Sequence, residues 1–370
     1  MRIWHVGSAA SPQRVCGVNN TVWLLASEQA LLGHQVCLIG GDGEDSAARS
    51  VAERTGLQFR VVPAKRWNYD VGALERLLAT EPPDIVHMHS VFIPRQVALA
   101  RELVRRNIPY AIAPHGGLSP YVLQRGWLKK WIYIVLAERS RFLAAAAIVA
   151  LTPGESREIE RFIPSYPGII RQIFNPMSAA ALDNQQWRGY QQNPPKVVFL
   201  GRFAVFHKGL DLLVEVARCL NSVEFHLYGT EDFRTRSWFN RLRKSLPQNV
   251  WFHKPVFGAD KTQILTNATL YIQFSRWEGF PLSVAEALYL GLPCAISDCL
   301  NIAEIFRQTD LGLVLPHQPK AAANVLATLL NQPEQLRIWS AKGRAFARTA
   351  FSPKTIAAAY LKLYEDALDL

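Results

Sequence analysis

The sequence predicts an α/β protein with two doubly wound domains, each built on a parallel sheet. Short apolar runs alternate with longer helical patterns, which is typical of repeated βαβ units. The length of 370 residues agrees, because one domain usually has about 100 to 200 residues. The runs are IWHVG, QVCLIG, FRVVP, DIVHMHS, YAIAPHG and AIVALT in the first half, and KVVFLGR, VEFHLYG, VWFHKP, LYIQFS and PCAISD in the second.

Composition along the chain predicts the domain boundaries. Residues 178–195 are polar, rich in Gln and Asn, and end in a Pro pair, which is typical of a linker between domains. This places an N-terminal domain at 1–177 and a C-terminal domain at 196–351. The tail, 352–370, begins with Ser-Pro and continues with apolar residues at helical spacing, so it is predicted to be a terminal helix.

Composition and charge restrict the class of protein and its partners. Hydrophobic residues make up 49% of the chain and charged residues 19%, as in globular proteins rather than disordered or fibrous ones. The net charge of +11 indicates attraction to nucleic acid, an anionic membrane surface or phosphorylated small molecules. The basic residues are dispersed and no DNA- or RNA-reading module is recognisable, so no nucleic-acid partner is expected.

Cysteines and apolar segments bear on location. The five cysteines lack metal-ligand spacing, which favours reduced thiols, no zinc site and a cytoplasmic protein. No secretory signal is recognisable at the N-terminus, and the apolar run from Trp131 to Ala137 is too short to span a bilayer. Residues 127–142 mix Trp, Lys and Arg, which is typical either of an interfacial helix at the inner face of the membrane or of a partly buried surface helix.

The stretch EGFPLSVAE, residues 278–286, contains two acids in a pattern that suits ligand binding. Ser283 and Glu286 fit the S-x-x-E capping box of a helix beginning with VAEALYL, and the N–H groups from Leu282 to Val284 could hold a diphosphate. Glu278 precedes the turn in a loop, where a carboxylate has no use in packing. Because carboxylates bind sugar hydroxyls well, two acids around a phosphate-binding turn suit a nucleotide sugar.

The loop GRFAVFHKG, residues 201–209, follows a predicted strand and carries two cations, Arg202 and Lys208. Arg can grip phosphate oxygens through two hydrogen bonds, while Lys adds a point charge. No D-x-D triplet occurs in the chain, so the common carboxylate pair for holding a divalent metal is missing. We therefore expect a metal-independent site without a cofactor.

Candidate residues in the first half lie where predicted strands end. Gly17 follows the first strand, but the G-x-G-x-x-G fingerprint of NAD-binding proteins is absent. Two further strands end at His89 and at His115-Gly116, at the carboxyl edge where open parallel sheets bind ligands. These residues are candidates for substrate contact. Thr-Pro-Gly-Glu at 152–155 fits another capping box and is interpreted as structural.

Taken together, these motifs resemble those of the retaining GT-B glycosyltransferases called glycosyltransferase family 4, over essentially the whole chain. The hallmark is an acid, seven residues and a second acid within E-G-F-x-L-x-x-x-E-A, followed by G-x-P at 291–293. GRF...KG-x-D, the strand-end PHG and DIVHMHS match as well.

The resemblance implies two Rossmann-like domains that face each other across a cleft, with the last helix returning to the first domain. It also implies retaining transfer of a hexose from a nucleotide sugar to a hydroxyl of a saccharide or lipid-linked saccharide, in surface polysaccharide synthesis. UDP-glucose is our preferred donor. The alternative is a GT-B nucleotide-sugar enzyme of other chemistry, such as a sugar epimerase.

Residue roles follow from the same resemblance. Arg202 and Lys208 would hold the donor diphosphate, and Glu286 would hold the ribose. Glu278 would bind hydroxyls of the transferred sugar, with His115 near the anomeric centre. Further donor contacts would come from Gly17, Tyr228, Gly229, Lys254, Pro255, Val256, Gly279, Phe280, Pro281, Leu282 and Ser283. The acceptor-side candidates are His89, His115 and Gly116.

Overall fold

Contacts within the chain divide it into two compact units, Met1–Met177 with Ser352–Leu370, and Ser178–Phe351. The computed structural model describes residues 1–7, 11–13, 16–40, 45–64, 67–124, 126–178, 182–190 and 193–369. Each unit contains a parallel sheet and helices, as the alternation of strand and helix patterns predicts.

The sheet of the first unit has seven strands among the described residues, in the order β3-β2-β1-β4-β5-β6-β7. The strands are β1 Arg2–Val6, β2 Gln35–Gly40, β3 Gln58–Val61, β4 Ile85–His89, β5 Tyr110–Ala113, β6 Ala147–Ala150 and β7 Ile169–Gln172. The parallel register aligns His5 of β1 with His87 of β4, and His89 with Ala113 of β5. The carboxyl ends of these three strands therefore lie side by side.

Both faces of this sheet are covered, because side chains on a strand point alternately to opposite faces. Ile3 and Val36 belong to one buried cluster, whereas their neighbours Trp4 and Cys37 belong to another. The helices of this part of the chain are α1 Gly17–Leu31, α2 Ser46–Thr55, α3 Val71–Thr80, α4 Pro94–Arg105, α5 Pro120–Gln124, α6 Trp127–Tyr133, a π-helical turn at Ile134–Glu138, α7 Arg139–Leu143 and α8 Pro153–Phe162.

The second unit has a six-stranded parallel sheet among its described residues, in the order β10-β9-β8-β11-β12-β13. The strands are β8 Lys196–Leu200, β9 Glu224–Tyr228, β10 Val250–His253, β11 Leu270–Gln273, β12 Cys294–Ser297 and β13 Leu313–Leu315. The helices are α9 Leu210–Arg218, a 3-10 turn at Phe233–Thr235, α10 Arg236–Arg243, α11 Gly258–Asn267, α12 Leu282–Leu290, α13 Ala303–Thr309, α14 Pro319–Leu330 and α15 Pro333–Ala350. Because β8 lies between β9 and β11, the loops that follow these three strands are neighbours.

The last helix, α16 Pro353–Leu368, packs in the first unit. Its buried face, with Ile356, Tyr360, Leu363 and Tyr364, joins the cluster that contains Ile3. The helical spacing of these apolar residues thus corresponds to a buried stripe.

The segment 178–195, predicted as a linker, packs in the second unit over its described residues. Trp187 is buried and donates a hydrogen bond from its indole to the carbonyl of Ala268 at 2.7 Å. Residues 179–181 and 191–192 of this segment lie outside the described residues. Throughout the described chain, no helix combines the length and the apolar character needed to cross a membrane.

Candidate active site

A largely buried ion pair lies at the carboxyl edge of the second sheet. The ammonium of Lys208 is 2.5 Å from Oε1 of Glu278, and the two side chains are only 16% and 11% exposed. The same oxygen accepts hydrogen bonds from Ser275 Oγ at 2.8 Å and from Gln273 Nε2 at 3.2 Å. The carboxylate is therefore held through one oxygen, and the other, Oε2, has no hydrogen-bond partner among the described residues.

Burial and nearby charge shift the pKa of Glu278 in opposite directions. Burial raises the pKa of this carboxyl, but the Lys208 ammonium, the nearby His207 and hydrogen bonds from Lys208 and Ser275 together outweigh it, so the pKa is lowered from its ordinary value. Burial also lowers the pKa of His207 to about 4, which leaves this imidazole neutral at pH 7. Glu278 is therefore an anion at neutral pH, and its charged partner is Lys208.

Two loops are fastened together so that Lys208 meets Glu278. Arg276 forms a bidentate ion pair with Asp211 at 2.9 and 2.7 Å, and its guanidinium lies over the ring of Phe206. The ring of His207 stacks on Trp277 and its Nε2 lies 3.0 Å from the carbonyl of that residue. These contacts join the loop after β8 to the loop after β11, and they fix the separation of the two charges.

Glycine is required where backbones approach at this edge. Gly209 has φ +62°, and a Cβ there would lie 2.1 Å from the carbonyl oxygen of Phe274. Gly229, one of the predicted donor contacts, would place a Cβ 1.7 Å from the carbonyl oxygen of Gly201. The strand ends that carry Lys208, Arg202 and Tyr228 thus come closer together than side chains on these glycines would permit.

A buried polar network supports Glu278, and three of its members, Tyr271, Gln273 and Ser275, were not among the predicted site residues. Gln273 is fully buried, accepts a hydrogen bond from the hydroxyl of Tyr271 at 2.8 Å and donates to Ser275 at 2.6 Å. The hydroxyl of Ser283 lies 3.4 Å from the same Gln273 oxygen. The pattern Tyr-x-Gln-x-Ser is visible in the sequence, because polar residues at period 2 point to one face of a strand.

The capping box predicted at Ser283 and Glu286 is wrong. Helix α12 begins at Leu282 with Pro281 as its N-cap and has no side-chain cap. Ser283 is therefore already inside the first turn, and its hydroxyl contacts Gln273. Glu286 lies a turn further on and pairs with Lys261 at 2.7 Å instead of reaching back to the helix start. The first N–H groups of the helix consequently have no capping side chain, as an anion site requires.

The other predicted donor contacts lie along the same sheet edge. Arg202 follows β8, is 52% exposed and lies 3.5 Å from a carboxylate oxygen of Asp232. Tyr228 ends β9 and stacks on His253, and the predicted contacts 254–256 follow directly after β10. Arg202 is thus loosely held and open to an anion, whereas Lys208 is fixed. Gly279 and Phe280 lie in the turn between Glu278 and α12.

In the first unit, Gly17 and His115 occupy different kinds of position. Gly17 is exposed and opens α1, whose N-cap Cys16 makes no side-chain hydrogen bond. His115 and Gly116 are consecutive left-handed residues, with φ 54° and 75°. The N–H of Gly116 donates to Oε1 of Glu155 at 2.5 Å, so a buried carboxylate holds this turn.

Only one of the two hydrogen bonds of the capping box predicted at 152–155 forms. The hydroxyl of Thr152 accepts from the N–H of Glu155, but the Glu155 carboxylate binds the N–H groups of Gly116 and Leu151. Burial raises the pKa of Glu155 to about 7, although those two N–H groups oppose the rise. Glu155 therefore connects the turn after β5 to the end of β6, a role that the sequence interpretation did not assign.

His89 cannot contact the acceptor as predicted. Its side chain is fully buried, with Nδ1 3.0 Å from His115 Nε2 and Nε2 3.0 Å from His5 Nδ1. The physical reason is that β4 lies between β1 and β5 in the sheet, so its last side chain is enclosed by the histidines of its neighbours. Of the acceptor-side candidates, His115 and Gly116 remain near the surface.

Two parallel-sheet α/β units are the fold of the GT-B glycosyltransferases, and the solved structures similar to this chain include members of that class. The fold comparison agrees: HepE from Anabaena, solved in complex with UDP and glucose, superposes with a TM-score of 0.73 at 16% identity, over 99% of this chain and 99% of that one. The predicted fold class is confirmed.

The chain belongs to the group 1, family 4 glycosyltransferases. The family model "Glycosyl transferase 4-like domain" matches residues 16–173, and "Glycosyl transferases group 1" matches 194–332. One relative is the N,N'-diacetylbacillosaminyl-diphospho-undecaprenol alpha-1,3-N-acetylgalactosaminyltransferase of Campylobacter jejuni, 27% identical over 70% of this chain and 71% of its own length. Another is the GDP-mannose-dependent alpha-(1-6)-phosphatidylinositol dimannoside mannosyltransferase of Mycobacterium tuberculosis, 25% identical over 93% and 92%.

Proposed function

We propose that this protein is a retaining, metal-independent glycosyltransferase that moves a hexose from a UDP-sugar, with UDP-glucose preferred, to a hydroxyl of a saccharide or lipid-linked saccharide. The product would be part of a surface polysaccharide or glycolipid. The observation that carries the proposal is the largely buried Lys208–Glu278 pair beside the start of α12. It joins a group for phosphate and a group for sugar hydroxyls at one sheet edge.

The residues suit the two halves of a nucleotide sugar. Lys208, the exposed Arg202 and the N–H groups at the start of α12 supply positive charge for a leaving diphosphate. The free oxygen of Glu278 accepts from sugar hydroxyls, and Glu286 can accept from ribose hydroxyls beside Lys261.

The reaction needs stabilisation of negative charge more than a protein nucleophile. The bond from the anomeric carbon to the diphosphate breaks, and the acceptor oxygen bonds to the same face of that carbon. The acceptor proton passes to a phosphate oxygen of the leaving group, so no protein base is consumed. Preorganised cations at the diphosphate then lower the barrier as charge develops. Lys208, fixed by Glu278, supplies such preorganisation.

Thermal-shift measurements with UDP-, GDP- and ADP-sugars test the donor. A ligand at 100 times its Kd adds about 2.7 kcal/mol to the free energy of unfolding, so a binding nucleotide sugar raises the melting temperature. We expect the largest rise with UDP-glucose and no change in transfer rate with EDTA. Absence of a shift with any nucleotide sugar contradicts the proposal, and inhibition by EDTA contradicts metal independence.

Analysis of the products separates transfer from the other GT-B chemistry. A glycosyltransferase yields the free nucleotide and an enlarged acceptor, with the anomeric configuration of the donor retained. An epimerase releases an altered free sugar and needs no acceptor. We expect transfer, and accumulation of an altered sugar without acceptor would favour the epimerase.

We also propose that the segment 127–142 binds an anionic membrane surface and brings the enzyme to a lipid-linked acceptor. The π-helical turn directs Glu138 inward, where it forms a fully buried ion pair with Arg141 at 2.5 Å. The acid that interrupts this apolar run in the sequence is therefore removed from the surface. Lys129 and Arg139 are exposed and supply positive charge. The exposed apolar side chains are Trp127, Leu128, Trp131, Ile132, Val135 and Leu136.

A vesicle experiment checks this contact. We expect the wild-type protein to sediment with vesicles of phosphatidylglycerol but not with vesicles of phosphatidylcholine. The double variant Trp131→Ser, Leu136→Ser should bind phosphatidylglycerol vesicles at least about tenfold more weakly, since each CH₂ group buried in the bilayer contributes about 0.8 kcal/mol to binding. Phe257→Ser is the matched control, because Phe257 is an exposed apolar residue of the other unit. Equal binding by the double variant and the control would contradict the proposal.

A further inference from the structure

Buried histidines of the first unit form a continuous hydrogen-bonded chain that ends at His115. Oε1 of Gln29, on α1, lies 2.7 Å from Nε2 of His5, on β1. Nδ1 of His5 lies 3.0 Å from Nε2 of His89, on β4. Nδ1 of His89 lies 3.0 Å from Nε2 of His115, in the turn after β5. Four separate elements thus contribute to the chain, and the first three side chains are fully buried.

The hydrogen-bonded chain of histidines runs in one direction from donor to acceptor. An amide oxygen can only accept a hydrogen bond, so Nε2 of His5 carries a proton and, in a neutral ring, Nδ1 of His5 is an acceptor. His89 must then donate through Nε2 and accept through Nδ1. His115 in turn must donate through Nε2. Gln29 therefore determines one tautomer for every ring, and the lone pair of His115 is placed on Nδ1.

The rings are neutral, as this assignment requires. Burial lowers the pKa of His5 and of His115 to about 4, and it lowers the pKa of His89 well below the ordinary value. A charged ring would carry protons on both nitrogens and would break the sequence of donors and acceptors.

The last nitrogen of the histidine chain, Nδ1 of His115, lacks a hydrogen-bond partner among the described residues. This nitrogen is buried, although the ring itself is partly exposed. An unpaired buried acceptor is destabilising, so this nitrogen gains from any donor, such as a hydroxyl, that reaches it. The turn is held in its left-handed conformation through Gly116 and Glu155, so this nitrogen keeps a defined position.

We propose that His5 and His89, set by Gln29, are positioning residues that fix His115 as a neutral imidazole whose Nδ1 accepts a hydrogen bond from a hydroxyl of the bound sugar. The ligand in this inference rests on the proposed function, whereas the tautomer of His115 does not. The lone pair on Nδ1 of His115 selects between ligand groups, because a hydroxyl can donate a hydrogen bond to it and a carboxylate cannot.

The same residues come close to the geometry of a metal site. Nitrogens of His5, His87 and His89 lie within 4.8 Å of one another. However, His5 Nδ1 and His89 Nε2 are at hydrogen-bond distance and share a proton, which a bound metal would have to displace. The hydrogen-bonded chain accounts for both nitrogens without an ion.

Nitrogen NMR of the ligand-free protein, labelled with ¹⁵N-histidine, tests the tautomers directly. At pH 7 we expect His5, His89 and His115 each to be neutral with the proton on Nε2, with His115 assigned by comparison with His115→Gln. A proton on Nδ1 of His115, a mixture of its tautomers or a charged ring would overturn the proposal. So would one equivalent of zinc per chain in elemental analysis of the purified protein.

Kinetics of matched variants test the positioning role. His89→Leu removes the acceptor for His115, and we expect kcat to fall about tenfold with KM for the nucleotide sugar nearly unchanged. His89→Asn keeps an oxygen near the Nδ1 position and should recover part of this loss. His87→Asn is the control, since His87 is equally buried on β4 but lies outside the chain.

A loss in His89→Leu no larger than in His87→Asn would overturn the positioning role, because both variants then report only a disturbed core. If the wild-type protein transfers no sugar, the proposed function fails, and the NMR result still decides the tautomer of His115.

Discussion

We expect Glu278→Ala to lower kcat by about 10²–10³-fold while the affinity for the free nucleoside diphosphate is retained. Glu278 is held by Lys208, Ser275 and Gln273 through one oxygen, and the other oxygen is left to accept from sugar hydroxyls. The diphosphate is assigned to Lys208, Arg202 and the start of α12. Removal of the carboxylate leaves Arg202 and the start of α12 in place, and the Lys208 ammonium, although no longer held by Glu278, stays available to the phosphate.

Two variants and two measurements make this result specific. Titration calorimetry with UDP measures nucleotide affinity, and release of the nucleotide in the presence of acceptor measures kcat. Glu286→Ala is the converse control, because an acid that binds the ribose contributes to nucleotide affinity. Glu278→Gln preserves the shape of the side chain and should lose turnover nearly as far as alanine. Loss of UDP affinity in Glu278→Ala equal to that in Glu286→Ala would refute the assignment of Glu278 to the sugar.

The central strands of both sheets could be predicted from the sequence because burial on both faces leaves continuous apolar runs. The edge strands β7 and β13 were not predicted. The residues of β7, Ile-Ile-Arg-Gln, are partly exposed or exposed, and β13 has only three residues. Position at an edge is not the whole reason, because the opposite edge strands β3 and β10 were predicted from the runs FRVVP and VWFHKP.

The site could be predicted only in part, since residue types reveal chemistry but not contacts. Glu278 and Lys208 stand out as polar groups in loops after strands, and the resemblance to family 4 relates them. Their direct pairing depends on β8 and β11 being neighbours, although 70 residues separate the two charges. The Arg276–Asp211 pair is equally distant in sequence, 65 residues apart, and likewise could not be inferred from local spacing.

The failed capping box shows how tertiary contacts override a local pattern. Ser-x-x-Glu at 283–286 satisfies the motif, but α12 already begins at Leu282, with Pro281 as its N-cap. The side chains of Ser283 and Glu286 bind Gln273 and Lys261 instead. His89 shows the opposite case. A histidine at a strand end suggests a ligand contact, but the strands on either side of β4 enclose it.

We expect Lys208→Met to destabilise the second unit by about 3–5 kcal/mol at pH 7, in addition to abolishing transfer. The substitution keeps most of the length of the side chain but leaves the largely buried Glu278 without its countercharge. In the wild-type protein His207 is not a second countercharge, because burial lowers the pKa of this imidazole to about 4 and it is neutral at pH 7. Thermal or urea unfolding of the variant, compared with the wild-type protein, measures the loss.

The loss should depend on pH in a defined direction. In the wild-type protein the pKa of Glu278 is lowered on folding, so the pair contributes stability above the unfolded pKa and loses it as pH falls through the folded pKa. Without Lys208, burial is the largest influence on Glu278 and raises the pKa of this carboxyl. The free energy of unfolding of the variant therefore falls increasingly as pH rises. The difference in stability should therefore be widest at pH 7 and narrow towards pH 4.

A double variant separates charge from packing. The double variant Lys208→Met, Glu278→Gln carries no buried charge at this site, so we expect most of the lost free energy of unfolding to return. The difference in free energy of unfolding between this variant and the wild-type protein should no longer depend on pH. Turnover should stay lost. If the single variant is equally destabilised at pH 4 and pH 7, or if the double variant is no more stable than the single one, the loss arises from packing. The Lys208–Glu278 pair would then not be an electrostatic unit, and the case for a preorganised diphosphate site would lose its main support.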